Sequence, residues 1–320
     1  MQRAVFVAMA LALSVISAPA AAQKYPTKPV RLISPFAPGG GTDVLGRVIA
    51  QRAAESFGQP VVVDNRPGAG GAIGAETTAR AEPDGYTLII VSATYAAASA
   101  YRPPPYDPVE DIQAISLIGT TGLLLTLHPS VPANSVQELI AYAKANPGKL
   151  NFGTVGAGSN VHLAMELFKL MTQTQFVDVP YKGGAPAMTA IVAGEIQVTA
   201  MSVVPSLPHV KSGRVRALAV TTAKRSPYLP DIPAVSETVP GYEASHWYGM
   251  WGPKRLPRAI VIQWNTEVAK ALSTDEAKAR MRAEGLEPGG GPPEQFQQVI
   301  KSDVEKWRRV IKQAHIKRES

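Results

Sequence analysis

The chain has 320 residues, of which 45% are hydrophobic and 18% charged, a composition typical of globular proteins and not of disordered or collagen-like chains. A net charge of +7 can accompany nucleic-acid binding, but the Lys and Arg residues are scattered and form no basic stripe interleaved with aromatic residues. The absence of cysteine excludes disulfides, thiolate metal sites, iron–sulfur clusters and lipid attachment through an N-terminal cysteine.

The N-terminal segment has the pattern of a secretory signal peptide. Arg3 supplies positive charge, residues 4–16 form an apolar run of 13, and small residues before position 23 offer a cleavage site after Ala22. A membrane-spanning helix needs about 20 apolar residues, and Pro19 interrupts this run. We therefore expect residues 1–22 to be removed on export and the remainder to be soluble.

Three segments then repeat one pattern, in which an apolar strand is followed by a Gly-rich turn and an amphipathic helix. The strands are residues 30–34, 150–152 and 176–179, and the turns after them are PFAPGGGTD (35–43), GTVGAGSN (153–160) and PYKGGAPAM (180–188). Thr42 or Asp43 is the expected N-cap of the first helix, and Ser159 or Asn160 that of the second. The second helix is expected to bury residues that include Phe168 and Met171.

Further apolar segments predict more strands, at residues 61–64, 86–91, 122–127, 196–200 and 215–220. Strands that alternate with helices indicate an α/β fold with largely parallel sheets. The C-terminal quarter is expected to be helical, with two apolar stripes formed by Val261, Trp264, Val268 and Leu272 and by Phe296, Ile300, Val304, Trp307 and Ile311.

The Gly-rich turns are candidate anion sites. A helix N-terminus carries free backbone N–H groups and about half a positive charge, and glycine lets a ligand approach that backbone closely. The alternative is that each turn serves only the geometry of a strand-to-helix connection.

Other site chemistries are not supported by the motifs. No P-loop, no complete G-x-G-x-x-G and no G-x-S-x-G occurs, so Ser159 is not in a nucleophile elbow and RPGAGG (66–71) is interpreted as a turn and helix start. The histidines at 128, 162, 209, 246 and 315 form no close pair, which leaves a zinc site unsupported. We expect no cofactor, no metal and no catalysis.

Individual polar residues allow two interpretations each. Asp43 could cap its helix or receive a ligand ammonium, and Lys182 could pair with a ligand carboxylate or be solvated. His162 could pack against the first turn of its helix or contact a ligand. His246, beside Trp247 and Tyr248, is interpreted as part of an aromatic cluster between domains.

Taken together, the segments resemble the extracytoplasmic receptors of tripartite tricarboxylate transporters, the Bug family, over nearly the whole mature chain. The resemblance is carried by residues 25–50, by GQPVVVDNRPGAGGAIGAE, PDGYTLII, LNFGTVGAGSNVHLAMELFK and VPYKGGAPAM, and by VRALAVTTAKRSPYLPDIPAVSE and KWRRVIKQAHI. It implies an α/β type 2 periplasmic binding protein, with two α/β domains and a ligand cleft between them. The first domain would comprise residues 23–124 plus 247–320, and the second residues 125–246.

The resemblance also implies which residues bind the ligand, largely through backbone N–H groups and hydroxyls. They are Ala37, Gly39, Gly40 and Asp43 in the first turn, Ser92 and Thr94 after a strand, Thr154, Gly158, Ser159 and Asn160 in the second turn, Tyr181 and Gly183 in the third, and Ser202.

Two departures from the family pattern bear on the ligand. Members often carry Phe-Asp after the strand at residues 196–200, where this chain has Met201 and Ser202, so one acid that could face an ammonium is missing. The segment YRPPPY (101–106) is also unusual and could reshape the edge of the cleft.

We therefore expect a periplasmic, monomeric receptor that binds a small organic carboxylate without an obligatory ammonium. Di- or tricarboxylates and aromatic acids meet this description. The receptor would deliver the ligand to the permease subunits of a tripartite tricarboxylate transporter. The alternative is a sensor that presents the bound solute to a membrane signalling protein, since the same fold serves both.

Overall fold

The computed structural model describes residues 25–283, 285–313 and 316, so the predicted signal peptide at residues 1–22 and His315 lie outside the described residues. The strands are β1 (Val30–Ser34), β2 (Val61–Asn65), β3 (Thr87–Ser92), β4 (Ile112–Leu127), β5 (Asn151–Thr154), β6 (Val177–Pro180), β7 (Val198–Ser202), β8 (Arg216–Val220), β9 (Ser245–Pro253) and β10 (Glu287–Pro288). The helices are α1 (Gly41–Phe57), α2 (Ala72–Ala79), α3 (Thr94–Tyr101), α4 (Val136–Ala145), α5 (Asn160–Thr172), α6 (Gly184–Ala193), α7 (Val203–Lys211), α8 (Arg258–Ser273), α9 (Asp275–Ala283) and α10 (Pro293–Gln313).

The first lobe is built on three parallel strands in the order β2-β1-β3. Leu32 and Ile33 are adjacent in β1 and both fully buried, and they belong to different apolar clusters. Because neighbouring residues of a strand lie on opposite faces, helices must cover both sides of this sheet. This explains why the sequence has an apolar run at this position and no alternation of apolar and polar residues.

The second lobe repeats the arrangement with β6-β5-β7, in which β5 pairs in parallel with both neighbours. Phe152 of β5 and Phe168 of α5 are fully buried in its core. Met171, which the pattern placed inward, is exposed instead, because the buried face of the last turn of α5 runs through Phe168 and Thr172 and Met171 lies beside it. The predicted α/β class is confirmed.

Two long antiparallel strands join the lobes, and the sequence analysis missed most of both. The part of β4 up to Gly122 pairs with β9 in the first lobe, and from Leu123 onwards β4 pairs with β7 and β8 in the second. Only residues 122–127 were predicted as strand, and β9 was taken as a segment between domains. The Gly-Thr-Thr-Gly sequence at residues 119–122 of β4 resembles a turn. It forms part of a strand because it pairs with β9, a contact that the local sequence does not reveal.

The helix starts agree with the sequence in part. Ser159 is the N-cap of α5, where its hydroxyl accepts a hydrogen bond from the His162 N–H at 3.1 Å, as predicted. Helix α1, however, is capped by Gly40, and the predicted caps Thr42 and Asp43 lie inside its first turn. The helix begins earlier because the Asp43 side chain bonds back to the Gly39 N–H, which brings the preceding turn into register.

The predicted apolar stripes of α8 and α10 are buried, and α10 packs against both lobes. Phe296, Ile300 and Val304 belong to a cluster of the first lobe, whereas Trp307 and Ile311 belong to the core of the second. The C-terminal helix therefore stabilises the arrangement of the two lobes from behind the cleft. Where the chain divides into two moving bodies, at the expected residues 124/125 and 246/247, stays a prediction.

Candidate functional site

The carboxyl ends of β1, β3, β5, β6 and β7 each lead into a helix, and the starts of these helices surround a small cavity of about 40 Å³. The residues from the helix starts in its wall are Gly40, Gly41 and Thr42 of α1, Thr94 of α3, Val161 of α5, Gly184 of α6 and the α7 N-cap Ser202. Ligands of open α/β proteins bind at this edge of the sheet, where strands end and helices begin.

The charge of this small cavity comes from the backbone. Among its described wall residues none is Asp, Glu, Lys or Arg, whereas the hydroxyls of Thr42, Ser92, Thr94 and Ser202 are present. Each helix N-terminus contributes about half a positive charge and unpaired N–H groups. The arrangement suits one small anionic group, such as a carboxylate, held by dipoles and hydroxyls.

His246 is a wall residue that the sequence analysis did not connect with a ligand. Its side chain is buried, with Nδ1 3.4 Å from the Asn160 Oδ1 and its ring 4.9 Å from that of Tyr248. Burial lowers the pKa of His246 to about 3, so the imidazole is neutral at physiological pH. A histidine directly before the apolar run WYGMWG (247–252) was the available signal, because a buried polar side chain requires a partner.

A second cavity of about 510 Å³ adjoins the small one, and Phe36, Ser92 and Val155 line both. Its walls come from both lobes and include Gly68–Gly71, the segment at residues 101–106, and residues 155–157 and 180–182. RPGAGG forms the predicted turn and helix start, and it also contributes to this wall. The YRPPPY segment, expected at the edge of a cleft, lies in the wall as well.

The turns of the two lobes touch each other beside the cavities. The Ala37 N–H donates to the Lys182 carbonyl oxygen at 3.1 Å, across the cleft. A methyl group on Gly39 would lie 3.4 Å from the Ala185 Cβ, and one on Gly183 3.2 Å from the Ala37 nitrogen. The two turns are therefore in direct contact, and the larger cavity lies between the lobes.

The Asp43 carboxylate makes its hydrogen bonds to other residues of the first lobe. Its carboxylate accepts hydrogen bonds from the Gly39 N–H at 2.9 Å, Arg47 Nε at 3.0 Å and Asn65 Nδ2 at 3.0 Å. Burial alone would raise the pKa of Asp43, but these donors outweigh it and hold the pKa below its usual value. This carboxylate stabilises the PFAPGGGTD turn, and it lines neither cavity.

The second turn is held by its own side chains. The Thr154 hydroxyl accepts from the Gly156 N–H at 3.2 Å, and the Gly158 N–H donates to His162 Nδ1 at 3.1 Å. Asn160 is fully buried and donates to the Ser245 carbonyl at 3.3 Å, so it joins α5 to the start of β9. These contacts fix the conformation of the turn. Val155 in the turn and Val161 in the helix after it line the small cavity.

Of the residues predicted to bind the ligand, the cavity walls contain Gly40, Ser92, Thr94, Tyr181 and Ser202. The others are not among the wall residues of either cavity: Ala37, Gly39, Asp43, Thr154, Gly158, Ser159, Asn160 and Gly183. Ligand contact stays a prediction for both groups. The analysis missed nine wall residues of the small cavity: Phe36, Gly41, Thr42, Val155, Val161, Gly184, Met201, His246 and Tyr248.

One cluster has ligand atoms close enough for a metal ion, at His162, Glu166 and Asp178. The Lys169 ammonium already lies in it, paired with Glu166 and with Asp178 at 3.0 Å. Both carboxylates are therefore already paired with a cationic side chain of the same lobe, which disfavours a metal cation there.

No helix in the described part of the chain combines the length and the apolarity that crossing a bilayer requires. This finding applies to residues 25–283, 285–313 and 316.

Comparisons with known proteins agree with this geometry. Residues 45–316 match the family described as tripartite tricarboxylate transporter family receptor, TctC. The chain is 36% identical to protein BugT of Bordetella pertussis over 311 residues, which cover 96% of this chain and 95% of BugT.

Two solved structures of relatives hold carboxylates. The structure of Rpa4515 from R. palustris with adipate has a TM-score of 0.87 and 40% identity, covering 91% of this chain and 98% of that one. The structure of MatC from Rhodopseudomonas palustris with bound malate has a TM-score of 0.85 and 28% identity, covering 90% and 100%. The chain thus belongs to the tripartite tricarboxylate transporter receptor family, whose members are solute-binding proteins and not enzymes.

Proposed function

We propose that this protein is a periplasmic receptor that captures a small organic carboxylate between its two lobes and delivers it to the permease of a tripartite tricarboxylate transporter. The observation that supports this most is the convergence of five helix starts on a cavity without charged side chains. Such a site favours an anion by dipoles and N–H groups alone. The adipate and malate in the two relatives are anions of this kind.

In this proposal the carboxylate occupies the small cavity, near Gly40, Ser92, Thr94 and Ser202. The remainder of the ligand extends into the larger cavity, where Tyr181 lies. Contacts that only the closed state completes, such as that between Ala37 and Lys182, would shift the protein toward closure when the ligand binds. The permease would then distinguish the closed receptor from the open one.

The proposal includes export with cleavage after Ala22 and a monomeric mature chain. It also includes a division into residues 23–124 plus 247–320 and residues 125–246, which would rotate about β4 and the start of β9. Both connections cross between the lobes, at Gly122–Leu123 and near Ser245.

Thermal unfolding of residues 23–320 with a panel of carboxylates tests the binding. A ligand present at about 100 times its Kd stabilises the protein by about 2.7 kcal/mol, which raises the midpoint by several degrees. Before the assay, co-purified ligand is removed by denaturation and refolding, and its removal is checked by mass spectrometry. A panel in which no carboxylate raises the midpoint would contradict the proposal.

Uptake of the labelled carboxylate by cells with and without the gene tests the delivery. We expect uptake to fall when the receptor is deleted and to return with the intact chain. Unchanged uptake together with a lost transcriptional response to the same carboxylate would identify a sensor.

A further inference from the structure

The larger cavity has room for a part of the ligand well beyond its carboxylate group. It has a volume of about 510 Å³, equivalent to about 17 water molecules at about 30 Å³ each, whereas the small cavity of about 40 Å³ holds little more than one carboxylate. Pockets of about 300–1,000 Å³ enclose ligands with a substantial body. A four-carbon acid would leave most of this volume to water.

The wall of the larger cavity is mainly apolar and aromatic. Its side chains include Phe36, Val91, Tyr95, Tyr101, Pro103, Pro104, Pro105, Tyr106 and Val155. The Tyr95 hydroxyl donates to the Pro108 carbonyl oxygen at 2.8 Å, so its hydrogen atom is already used in a bond within the protein. Burial raises the pKa of Tyr106 to about 12, which keeps that phenol neutral. The surface therefore matches a ligand body with few polar groups.

The charged residues of this wall favour an anion over a zwitterion. Lys182 and Arg102 bring positive charge, and Glu76 is the one acidic residue in the described wall. Glu76 of α2 is paired at 2.8 Å with Arg80, the C-cap residue of that helix. Asp43, the other acid considered for an ammonium, is bonded to Arg47, Asn65 and Gly39. An amino acid would find no free carboxylate among the described wall residues.

From these observations we infer that the ligand is an aromatic carboxylate, with its acidic group in the small cavity and its ring against the tyrosines and prolines of the larger one. The inference rests on the proposed function and specifies its ligand. An aromatic ring would bury apolar area against this wall, and contacts between its ring and the tyrosine rings would add to that gain. The segment at residues 101–106 supplies much of this wall. In this inference, its unusual tyrosines and prolines determine which class of ligand fits the cavity.

Calorimetric titration of refolded residues 23–320 tests the inference with benzoate, phenylacetate and terephthalate against adipate, malate, citrate and glutamate. We expect at least one aromatic acid to bind about tenfold or more tightly than every aliphatic acid, or about 1.4 kcal/mol. Tighter binding of adipate, malate, citrate or glutamate would overturn the inference and leave the receptor function standing. Absence of binding by the whole panel would overturn both.

Substitutions in the wall of the larger cavity test whether the aromatic ring of the ligand binds there. Ala98 of α3 lies in the wall of the larger cavity, and Ala98→Leu would occupy part of its volume. Ala141→Leu on the exposed face of α4 is the matched control. We expect Ala98→Leu to weaken the best aromatic acid about tenfold and Ala141→Leu to leave it unchanged. If Ala98→Leu does not fold, Ala157→Leu in the wall from the second lobe replaces it. A folded wall variant with unchanged affinity would overturn the inference.

Discussion

The backbone N–H of Ala37 donates a hydrogen bond to the carbonyl oxygen of Lys182 at 3.1 Å, and this bond joins the two lobes across the cleft. Ala37 follows β1 in the first lobe, and Lys182 follows β6 in the second. Both turns precede helices whose starts line the small cavity. The contact between the lobes therefore lies next to the starts of α1 and α6, which line the small cavity.

Gly183→Ala should favour the open form. Gly183 has φ of +154°, and a methyl group there would lie 3.2 Å from the Ala37 nitrogen. We expect the variant to lose the close approach of the two turns, which small-angle scattering would detect as a larger radius of gyration. The control is Gly213→Ala, which has φ of +70° and no atom within 4 Å of the added methyl. It should lose about 1 kcal/mol through backbone strain without a change in shape. Equal radii for the two variants would contradict this role of Gly183.

Stability should fall in mildly acidic solution because of His246. Its pKa is about 6.5 when unfolded and about 3 in the folded protein, where burial keeps it neutral. The unfolded chain therefore takes up a proton that the folded chain does not, so this contribution is complete above pH 6.5 and is lost as the pH decreases below it. The loss is about 1.4 kcal/mol per pH unit, or about 2 kcal/mol at pH 5. Urea unfolding of the wild type and His246→Gln at pH 7.5 and 5 measures the difference, and identical pH dependences would contradict it.

Ser159→Ala should act on stability and not on catalysis or on direct ligand contact. The variant removes the N-cap of α5 and should cost about 1 kcal/mol, within the usual range of about 0.5–2 kcal/mol. Ser135→Ala is the matched control, because Ser135 caps α4 through the Glu138 N–H at 3.1 Å. Chemical denaturation should give similar losses for both. A selective loss of carboxylate affinity in Ser159→Ala would show instead that this hydroxyl contacts the ligand.

Asp43→Asn should destabilise the first turn. The substitution weakens the pairing with Arg47 and changes the hydrogen bonds from Gly39 and Asn65, so we expect a loss of about 1–3 kcal/mol. The pKa of Asp43 is held below its usual value, so its stabilising contribution is present above about pH 4 and is lost as the pH falls through the folded pKa. Unfolding of the wild type and variant at pH 7 and 3 checks this. A variant as stable as the wild type at pH 7 would contradict it.

Much of the site was accessible from the sequence because its parts are local. Glycine-rich turns between an apolar strand and an amphipathic helix predicted helix starts that line the small cavity, and position alone narrowed the cap of α5 to Ser159 or Asn160, of which the structure has Ser159. The resemblance added the pairing of turns from opposite lobes. The walls also contain His246, Tyr248 and Gly68–Gly71, which were missed because their place in the cavities depends on β9 and on packing between lobes.

The sequence by itself determined the α/β class, the strand–turn–helix units, the two C-terminal stripes and the family, because short-range periodicity and turn chemistry encode them. The tertiary structure alone decided that β4 continues from one lobe into the other, that the Asp43 carboxylate bonds to Arg47 and Asn65, and that a large cavity with aromatic walls adjoins a small one without charged side chains among its described residues. These features depend on contacts between residues far apart in the chain. No local pattern records such contacts, since their free energy appears only when the chain has packed.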